Sequence, residues 1–540
     1  MNFTEVYGDT VSSVALAARS GCRKQVRRLI QRGGSVDCRD NRGWNSLHEA
    51  AAAGNEGCVR EILKAAARSS RSFRAFVNSL THEGESSCYL AAQRGHMDVV
   101  RLLLKNHAVV NQQTNDLSCP LYAAVDAGHV EVVRLLVREG AEVNGTHTAS
   151  CWTCLHQAVY KGHSDIVRIL VSVSDLEAVD DHNITPLFVA AQYGRHDDLQ
   201  TLAFADANVD AQAADGATPL MIASQEGHES CVDFLLGCGA NPNTPCSSEW
   251  PQLPIHAAAQ FGRISVLRRL IAATDRGCDR GRGQVSPLYL AIHNNQRTSV
   301  ELLLKEGFSP DAQDCWELLG LRSPLSLALR MASEKTCSSD LSRLLVSAGA
   351  SLIQDHWDQV LAADRTDLLR LILDLRRIPH LDLAPCHRPE AWGPAVLTLP
   401  ELKHLLSAAV TQVDAAARWL PLLLNAGLDP HLLLHTHMLD GLDGAVLNYL
   451  LQFVNWSTLS LDLKLVLDRR QAEKTWSPLP QFDSLPSLFH LCRMRIRTLL
   501  GPDLLMRTAV VQQLPLPSPL HGSVQFRDIQ EPTDTRDPPQ

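Results

Sequence analysis

Hydrophobic and polar positions repeat along most of the chain with a period of about 33 residues. In one copy, a short helix is expected to start at Pro120, to carry the small residues Ala123 and Ala124, and to end at Gly128. A second helix follows, with apolar positions at 132, 133, 135 and 136. The pattern predicts a helix–turn–helix unit whose Gly128 adopts a left-handed conformation at the turn.

Most of the N-terminal two thirds of the chain consists of such units. The matching first-helix segments are Asn45–His48, Ser86–Tyr89, Thr153–His156, Thr185–Phe188, Thr218–Met221, Leu253–His256, Ser286–Tyr289 and Ser323–Ser326. A degenerate unit at Val14–Ala18 is expected to cap the N-terminal end, and weakened units follow at Val360–Ile372 and Leu420–Asp429. We therefore expect regular repeats over residues 1–352 and degenerate helical repeats over 353–476, interrupted by an irregular connection from Pro379 to Pro400.

The period and the repeated pattern resemble ankyrin repeats. The resemblance implies an all-α solenoid of about 10–12 repeats, each a helix–turn–helix with a hairpin loop. One unit cannot bury its apolar face alone, so stacking forms a continuous core and an extended surface. In ankyrin proteins the turn tips and first helices line a concave surface that binds another protein.

Insertions interrupt the period at residues 65–76, 243–252, 275–284 and 332–340. Insertions in repeat proteins often lie on the binding face, which makes these segments candidates for partner contact. Tolerated surface loops are an equally good interpretation, because long loops cost little free energy.

Near the C-terminus, the apolar residues Leu488, Cys492 and Ile496 are spaced by four and so share one side of a helix. Pro486 and Ser487 suit the start of that helix. The interleaved arginines 493, 495 and 497 are expected to remain solvated. Gly501-Pro502 ends the helix, and a second helical stretch is expected from Asp503 to Gln513.

This C-terminal stretch resembles a SOCS box, a three-helix module expected here over residues 484–526, with a disordered tail over 527–540. Ser487 and the three apolar residues fill the elongin-binding motif in order, and the resemblance implies elongin C binding by Leu488, Cys492 and Ile496. The cullin-selecting motif of the family, which the resemblance makes cullin-binding here, is filled by Leu514, Pro515, Leu516, Pro517 and Leu520. Where the family has Tyr-Leu, this chain has Ser523-Val524.

Ankyrin repeats followed by a SOCS box resemble the ankyrin repeat and SOCS box family. The resemblance implies a non-catalytic substrate-recognition subunit of a cullin-5-type ubiquitin ligase, which directs a bound protein to proteasomal degradation. The implied partners are elongin C, elongin B, cullin-5 with its RING subunit, and an unidentified protein substrate on the array. Two alternatives remain open: the C-terminal helix caps the array, or the whole chain is an ankyrin scaffold without ligase output.

Composition and charge narrow the range of expected partners and cellular compartments. The 540 residues carry a net charge of -9 without a long run of one sign, so neither nucleic acid nor a membrane surface is an expected partner. No secretory signal or membrane-spanning run is recognised, and the 15 scattered cysteines suit reduced thiols in the cytoplasm or nucleus. A basic segment from Arg23 to Arg32 is interpreted as a solvated outer helix face.

The 22 histidines invite a catalytic or metal interpretation, but most recur at the repeat period. A repeated position favours a structural role for His48, His96, His129, His156, His163, His228 and His256. Cys151 and Cys154, with His147 and His156, have the spacing of half a zinc site, but no second Cys-x-x-Cys accompanies them. We expect no catalytic residue, no metal and no cofactor.

Overall fold

The structure is a computed structural model, and it describes residues 11–69, 73–147, 150–246, 252–275, 285–311, 323–333, 340–362, 366–376, 378, 396–483, 486–487, 489–496 and 529. The chain divides into two compact units, Met1–Asp275 and Arg276–Gln540. The described residues are helical, apart from turns and isolated bridge pairings such as Leu80 with Ser86. None of the described helices is both long and apolar enough to cross a bilayer.

The first unit is a series of helix pairs. Its helices are α1 Ser13–Arg19, α2 Arg23–Gln31, α3 Ser46–Ala52, α4 Glu56–Ser69, α5 Phe73–Val77, α6 Ser87–Gln93, α7 Met97–Lys105, α8 Pro120–Asp126, α9 Val130–Arg138, α10 Cys154–Lys161, α11 Ser164–Leu170, α12 Pro186–Gln192, α13 His196–Ala203, α14 Pro219–Glu226, α15 Glu229–Gly237, α16 Pro254–Gln260 and α17 Ile264–Ala273. Each first helix contacts the first helices of neighbouring pairs, and the second helices do the same. The stacking predicted from the repeats is confirmed.

Local sequence explains where these helices begin and end. The Thr218 hydroxyl accepts the N–H of Met221 at 3.2 Å, and Pro219 occupies the first helical turn, where its missing N–H costs nothing. Gly128 has a φ of 79°, which confirms the left-handed turn between α8 and α9. Buried small residues, Ala123 and Ala124 among them, allow close approach between adjacent first helices.

Histidine rings join neighbouring repeats. At the start of α3, His48 Nδ1 accepts the N–H of Asn45 (3.2 Å), while Nε2 contacts the carbonyl oxygen of Ser79 in the next repeat (2.9 Å). After the turn glycines, His129 Nε2 contacts the carbonyl of Gln93 at 3.0 Å. The same two arrangements recur at His96, His156, His163 and His228. These contacts confirm the structural role expected from periodicity.

Two other sequence expectations can be compared with the first unit. The insertion at 65–76 lengthens α4 and adds α5, whose Phe76 and Val77 are buried. The described ends of this insertion are therefore helical, and its second end is packed by Phe76. The arginines and the lysine of α2 are exposed, which confirms the solvated outer face.

The second unit continues the helix pairs beyond the point where the sequence pattern fades. Its helices are α18 Pro287–His293, α19 Arg297–Lys305, α20 Pro324–Ser333, α21 Asp340–Ser347, α22 Gln354–Leu361, α23 Thr366–Leu375, α24 Leu399–Thr411, α25 Ala416–Asn425, α26 Thr436–Gly441, α27 Gly444–Leu451, α28 Leu461–Ala472 and α29 at residues 489–496. The weakened unit expected near 360–372 corresponds to α22–α23, and the half unit expected at 420–429 corresponds to α25, whose first helix α24 the sequence does not predict. Pro400 belongs to the first turn of α24, and residues 379–395 lie outside the described part.

A buried ion pair connects α23 to α24. Arg376 and Glu401 approach to 3.2 Å, with side chains only 4% and 7% exposed. Arg376 also donates to the carbonyl of Ala350 at 2.7 Å, and Glu401 accepts the N–H groups of Leu352 and Thr398. Because both charges have hydrogen-bond partners, the pair can be held in the interior.

Candidate functional site

The C-terminal helix α29 begins where the sequence predicts. The Ser487 hydroxyl accepts the N–H of His490 at 3.2 Å, and the Ser487 carbonyl accepts the N–H of Leu491 at 3.0 Å. The expected cap at Ser487 is therefore confirmed. Leu488, the first predicted elongin C contact, lies outside the described residues.

One side of α29 packs on its own chain through His490. Its Nε2 lies 3.1 Å from the carbonyl oxygen of Val454, and its ring centroid lies 4.8 Å from that of Trp456. The guanidinium of Arg493 lies 3.2 Å from Nδ1. Nδ1 therefore accepts from Arg493 and Nε2–H donates to Val454, which fixes a neutral imidazole. Burial, reinforced by the Arg493 charge, lowers the pKa of His490.

The expectation that Arg493 stays solvated is wrong. Its side chain is buried, and its guanidinium also lies over the ring of Phe489, 5.8 Å from the centroid. The ring of Trp456 also meets that of Phe482 edge-on, with 4.9 Å between the ring centroids. We call Val454, Trp456, His490 and Arg493 the anchor of α29. The sequence signal for the anchor is weak, because its members come from segments more than 30 residues apart.

Apolar side chains of α29 are also exposed. Phe489 is 50% exposed and Leu491 is 38% exposed. Cys492, the second predicted elongin C contact, is exposed, and Ile496, the third, is half-buried. We call Leu491 and Cys492, which point away from His490 and Arg493 on the helix, the docking face. These side chains remain accessible to a partner while His490 and Arg493 hold the helix to its own chain.

The predicted cullin-binding residues Leu514, Pro515, Leu516, Pro517 and Leu520 lie outside the described part of the chain, as do the predicted helix at 503–513 and the Ser523-Val524 pair. Their roles remain predictions from sequence.

A second, partly exposed apolar surface lies on the first unit, where Tyr160 and Tyr193 come from the C-terminal ends of α10 and α12 and Trp152 from the loop before α10. Tyr160 meets Tyr193 edge-on with a centroid separation of 4.9 Å, and Trp152 meets Tyr160 at 5.5 Å. Tyr160 is 37% exposed and Tyr193 43%. We call these three residues the aromatic row. Partly exposed tyrosines and tryptophans are frequent anchors in protein interfaces.

The four residues with the spacing of half a zinc site do not come together in the structure. His156 uses Nδ1 toward Thr153 and Nε2 toward the carbonyl of Ile184, so both ring nitrogens are engaged. His147 and Cys154 instead meet Cys119 of the preceding repeat.

Comparison with known proteins places these features in context. The family profile "Ankyrin repeats (3 copies)" matches residues 71–147, 144–213 and 220–314, and the profile "SOCS box" matches 484–522. Over 531 residues, the chain is 39% identical to Ankyrin repeat and SOCS box protein 3 of Bos taurus and of Homo sapiens. These alignments cover 98% of this chain and 96% and 97% of the relatives.

Among solved structures, the crystal structure of the human ASB11 ankyrin repeat domain aligns with 24% identity and a TM-score of 0.37. That alignment covers 42% of this chain and 97% of the ASB11 chain.

Proposed function

The chain belongs to the ankyrin repeat and SOCS box family of ubiquitin-ligase substrate adaptors, and we propose that it serves a cullin-5-type elongin B/C–cullin–SOCS box ligase. In this role it binds one target protein on its array and directs that protein to ubiquitination and proteasomal degradation. The observation that carries the proposal is the exposed docking face of α29, inside the segment that matches a SOCS box.

The docking face suits insertion of a helix into an apolar groove. Leu488, Cys492 and Ile496 follow a spacing of four, so they project from neighbouring turns. Cys492 is exposed and sits beside the exposed Phe489 and Leu491. Helix-in-groove contacts concentrate their energy in a few apolar anchors of this kind. Elongin C supplies the groove, and elongin B accompanies it.

Cullin-5 with its RING subunit is the proposed second contact, made through the segment Leu514–Leu520. A proline ring fixes φ and removes the backbone N–H, so the sequence with prolines at 515 and 517 disfavours a helix through this segment. Leu514, Leu516 and Leu520 then provide apolar contacts to the scaffold.

In the proposed mechanism this chain brings the target close to the ligase and performs no chemical step itself. The array binds the target and the SOCS box binds the ligase scaffold, so lysines of the target are held near an activated ubiquitin. Tethering of this kind raises the effective concentration of the reacting groups. The chain is accordingly proposed to be a non-catalytic subunit that acts in the cytoplasm or nucleus.

Affinity purification of the full chain from cells tests the proposal. We expect elongins B and C, cullin-5 and the RING subunit to co-purify with the natural chain. The double variant Leu488→Ala with Cys492→Ala should lose all of them and keep its target. Arg495→Ala provides the matched control, since Arg495 is exposed on the same helix but lies outside the motif.

Two results would contradict the proposal. Undiminished elongin recovery with the double variant would mean that this face does not dock. Target binding without elongins by the natural chain, with target levels unaffected by loss of the chain, would identify an ankyrin scaffold without ligase output.

A further inference from the structure

Three side chains that commonly bind metals replace template residues in two adjacent repeats of the first unit. Cys119 is the N-cap of α8, a position held by Thr185 in α12 and Thr218 in α14. Cys154 is the first residue of α10, where α12 and α14 begin with proline. His147 lies in the hairpin loop between the two repeats. None of these positions requires a thiol or an imidazole for folding, since other repeats use other residues there.

The loop position of His147 is identified by its backbone. Its N–H donates to the carbonyl of Trp152 at 3.0 Å and closes the loop, as the N–H of Asp180 does toward Ile184 at 3.2 Å. In that repeat the Asp180 carboxylate also accepts the N–H groups of His182 and Ile184, which stabilises the turn. The ring of His147 is turned instead toward the preceding repeat, where it reaches Cys119.

The three side chains converge in the interior. One ligand atom of each of Cys119, His147 and Cys154 lies within 4.8 Å of the others, and all three residues are buried. Cys119 Sγ lies 3.7 Å from His147 Nε2. His147 Nδ1 is buried and has no hydrogen-bond partner among the described residues. A buried polar atom without a partner normally carries an energetic cost.

We propose that Cys119, His147 and Cys154 form a binding site for a soft metal ion, Cu⁺ or Zn²⁺. Two thiolates and one imidazole are a ligand set that such ions prefer over harder cations. Structural Zn²⁺ usually takes four protein ligands, whereas the described residues offer three, so the set suits Cu⁺ better. Binding converts both thiols to thiolates and releases their protons to solvent.

Metal binding to the full chain, reduced with a phosphine under anaerobic conditions, tests the site. Cu⁺ and Zn²⁺ are titrated separately against a chromogenic chelator that outcompetes exposed thiols. The test variants are Cys119→Thr, His147→Thr and Cys154→Pro, which introduce residues that other repeats carry at the same positions and so keep the stack folded. Cys151→Ser and Cys238→Ser are controls, since Cys151 is the neighbouring thiol outside the cluster and Cys238 is exposed.

We expect one equivalent of Cu⁺ or Zn²⁺, retained in both controls and lost in Cys119→Thr and Cys154→Pro. His147→Thr should weaken binding by about tenfold or more, a loss at least as large as removing an outer-shell partner. The bound ion should raise the thermal midpoint of the natural chain but not that of the test variants. Failure to bind one equivalent of either ion, or binding that persists in Cys119→Thr and Cys154→Pro, would overturn the proposal. The outcome is independent of elongin or cullin binding.

Discussion

His490 Nε2 lies 3.1 Å from the carbonyl oxygen of Val454, and this contact fixes which side of α29 remains free. Because the buried imidazole and Arg493 face inward, Leu491 and Cys492 point away from the contact and remain exposed. The anchor therefore fixes both the position of α29 and the side of the helix that stays exposed.

His490→Ala is expected to free α29 from the array. The variant removes the Val454 contact and leaves the Arg493 guanidinium, which donates to His490 Nδ1, without that partner in a buried place. Truncating one partner of a buried hydrogen bond costs about 1–3 kcal/mol. Hydrogen exchange should accelerate across 486–496 and remain unchanged in α1–α17. Arg495→Ala is the control, and equal protection in both variants would show that His490 does not anchor the helix.

The sequence predicts the shared helix side of Leu488, Cys492 and Ile496 but not the anchor of α29, for a physical reason. A spacing of four places Leu488, Cys492 and Ile496 together by helix geometry alone. The anchor depends on Val454 and Trp456, which reach His490 only through the tertiary fold. An arginine between apolar positions is normally solvated, so local pattern favours the wrong assignment.

In the repeats, too, features set by local sequence are predictable, and features set by contacts between distant residues are not. Helix pairs with Thr-Pro starts and turn glycines are predictable because each signal is contained within one unit. Helix α24 is missed because it follows a proline-rich segment and is held by the Arg376–Glu401 pair, whose members lie 25 residues apart. Local spacing brings His147 and Cys154 to attention but not Cys119, because Cys119 comes from the preceding repeat and joins them only through the tertiary fold.

Acid should destabilise the protein through its buried histidines. Burial lowers the pKa of His48 and of His356 to about 4, below the ordinary value of about 6.5. The unfolded chain therefore binds more protons between these values, so stability is complete above pH 6.5 and is lost as pH falls toward 4. Each of these two histidines should lower the free energy of unfolding by about 2 kcal/mol between pH 7 and pH 5.

Urea unfolding at pH 7 and pH 5 measures this loss. His48→Gln should be less stable at pH 7 because it gives up the contacts to Asn45 and Ser79, but its stability should change less with pH. His437→Gln, at an exposed position, should keep the full pH dependence. An unchanged pH dependence in His48→Gln would show that His48 is not responsible.

Breaking the Arg376–Glu401 pair should destabilise the fold far more than breaking an exposed ion pair in the same unit. Glu401→Ala leaves the Arg376 charge buried without its counter-ion, which is expected to cost about 3–5 kcal/mol. Asp440→Ala breaks the pair between Asp440 and Arg469, both more than 40% exposed, and should cost less than ~1 kcal/mol. Thermal unfolding monitored by intrinsic tryptophan fluorescence compares the two. Similar losses in both variants would contradict the buried-pair argument.

Restoring the family residues after the cullin-selecting motif should strengthen cullin binding. The double change Ser523→Tyr with Val524→Leu adds aromatic and apolar area beside Leu514–Leu520. Aromatic side chains are frequent interface anchors, and a gain of ~1.4 kcal/mol corresponds to tenfold tighter binding. Titration of cullin-5 against the chain bound to elongins B and C measures this. Weaker or unchanged binding would show that the position makes no favourable contact.

The aromatic row should contribute to target binding rather than to folding. Tyr160 and Tyr193 keep more than a third of their surface exposed, so their truncation removes little core packing. Their edge-on contact at 4.9 Å is worth about 0.5–1.5 kcal/mol, whereas each interface anchor is worth ~2 kcal/mol or more. Proximity labelling with Tyr160→Ala plus Tyr193→Ala should therefore lose target proteins while elongin recovery stays constant. Phe204→Ala, exposed by 76% after a second helix, is the matched control, and an identical set of labelled proteins in both would exclude the row from target recognition.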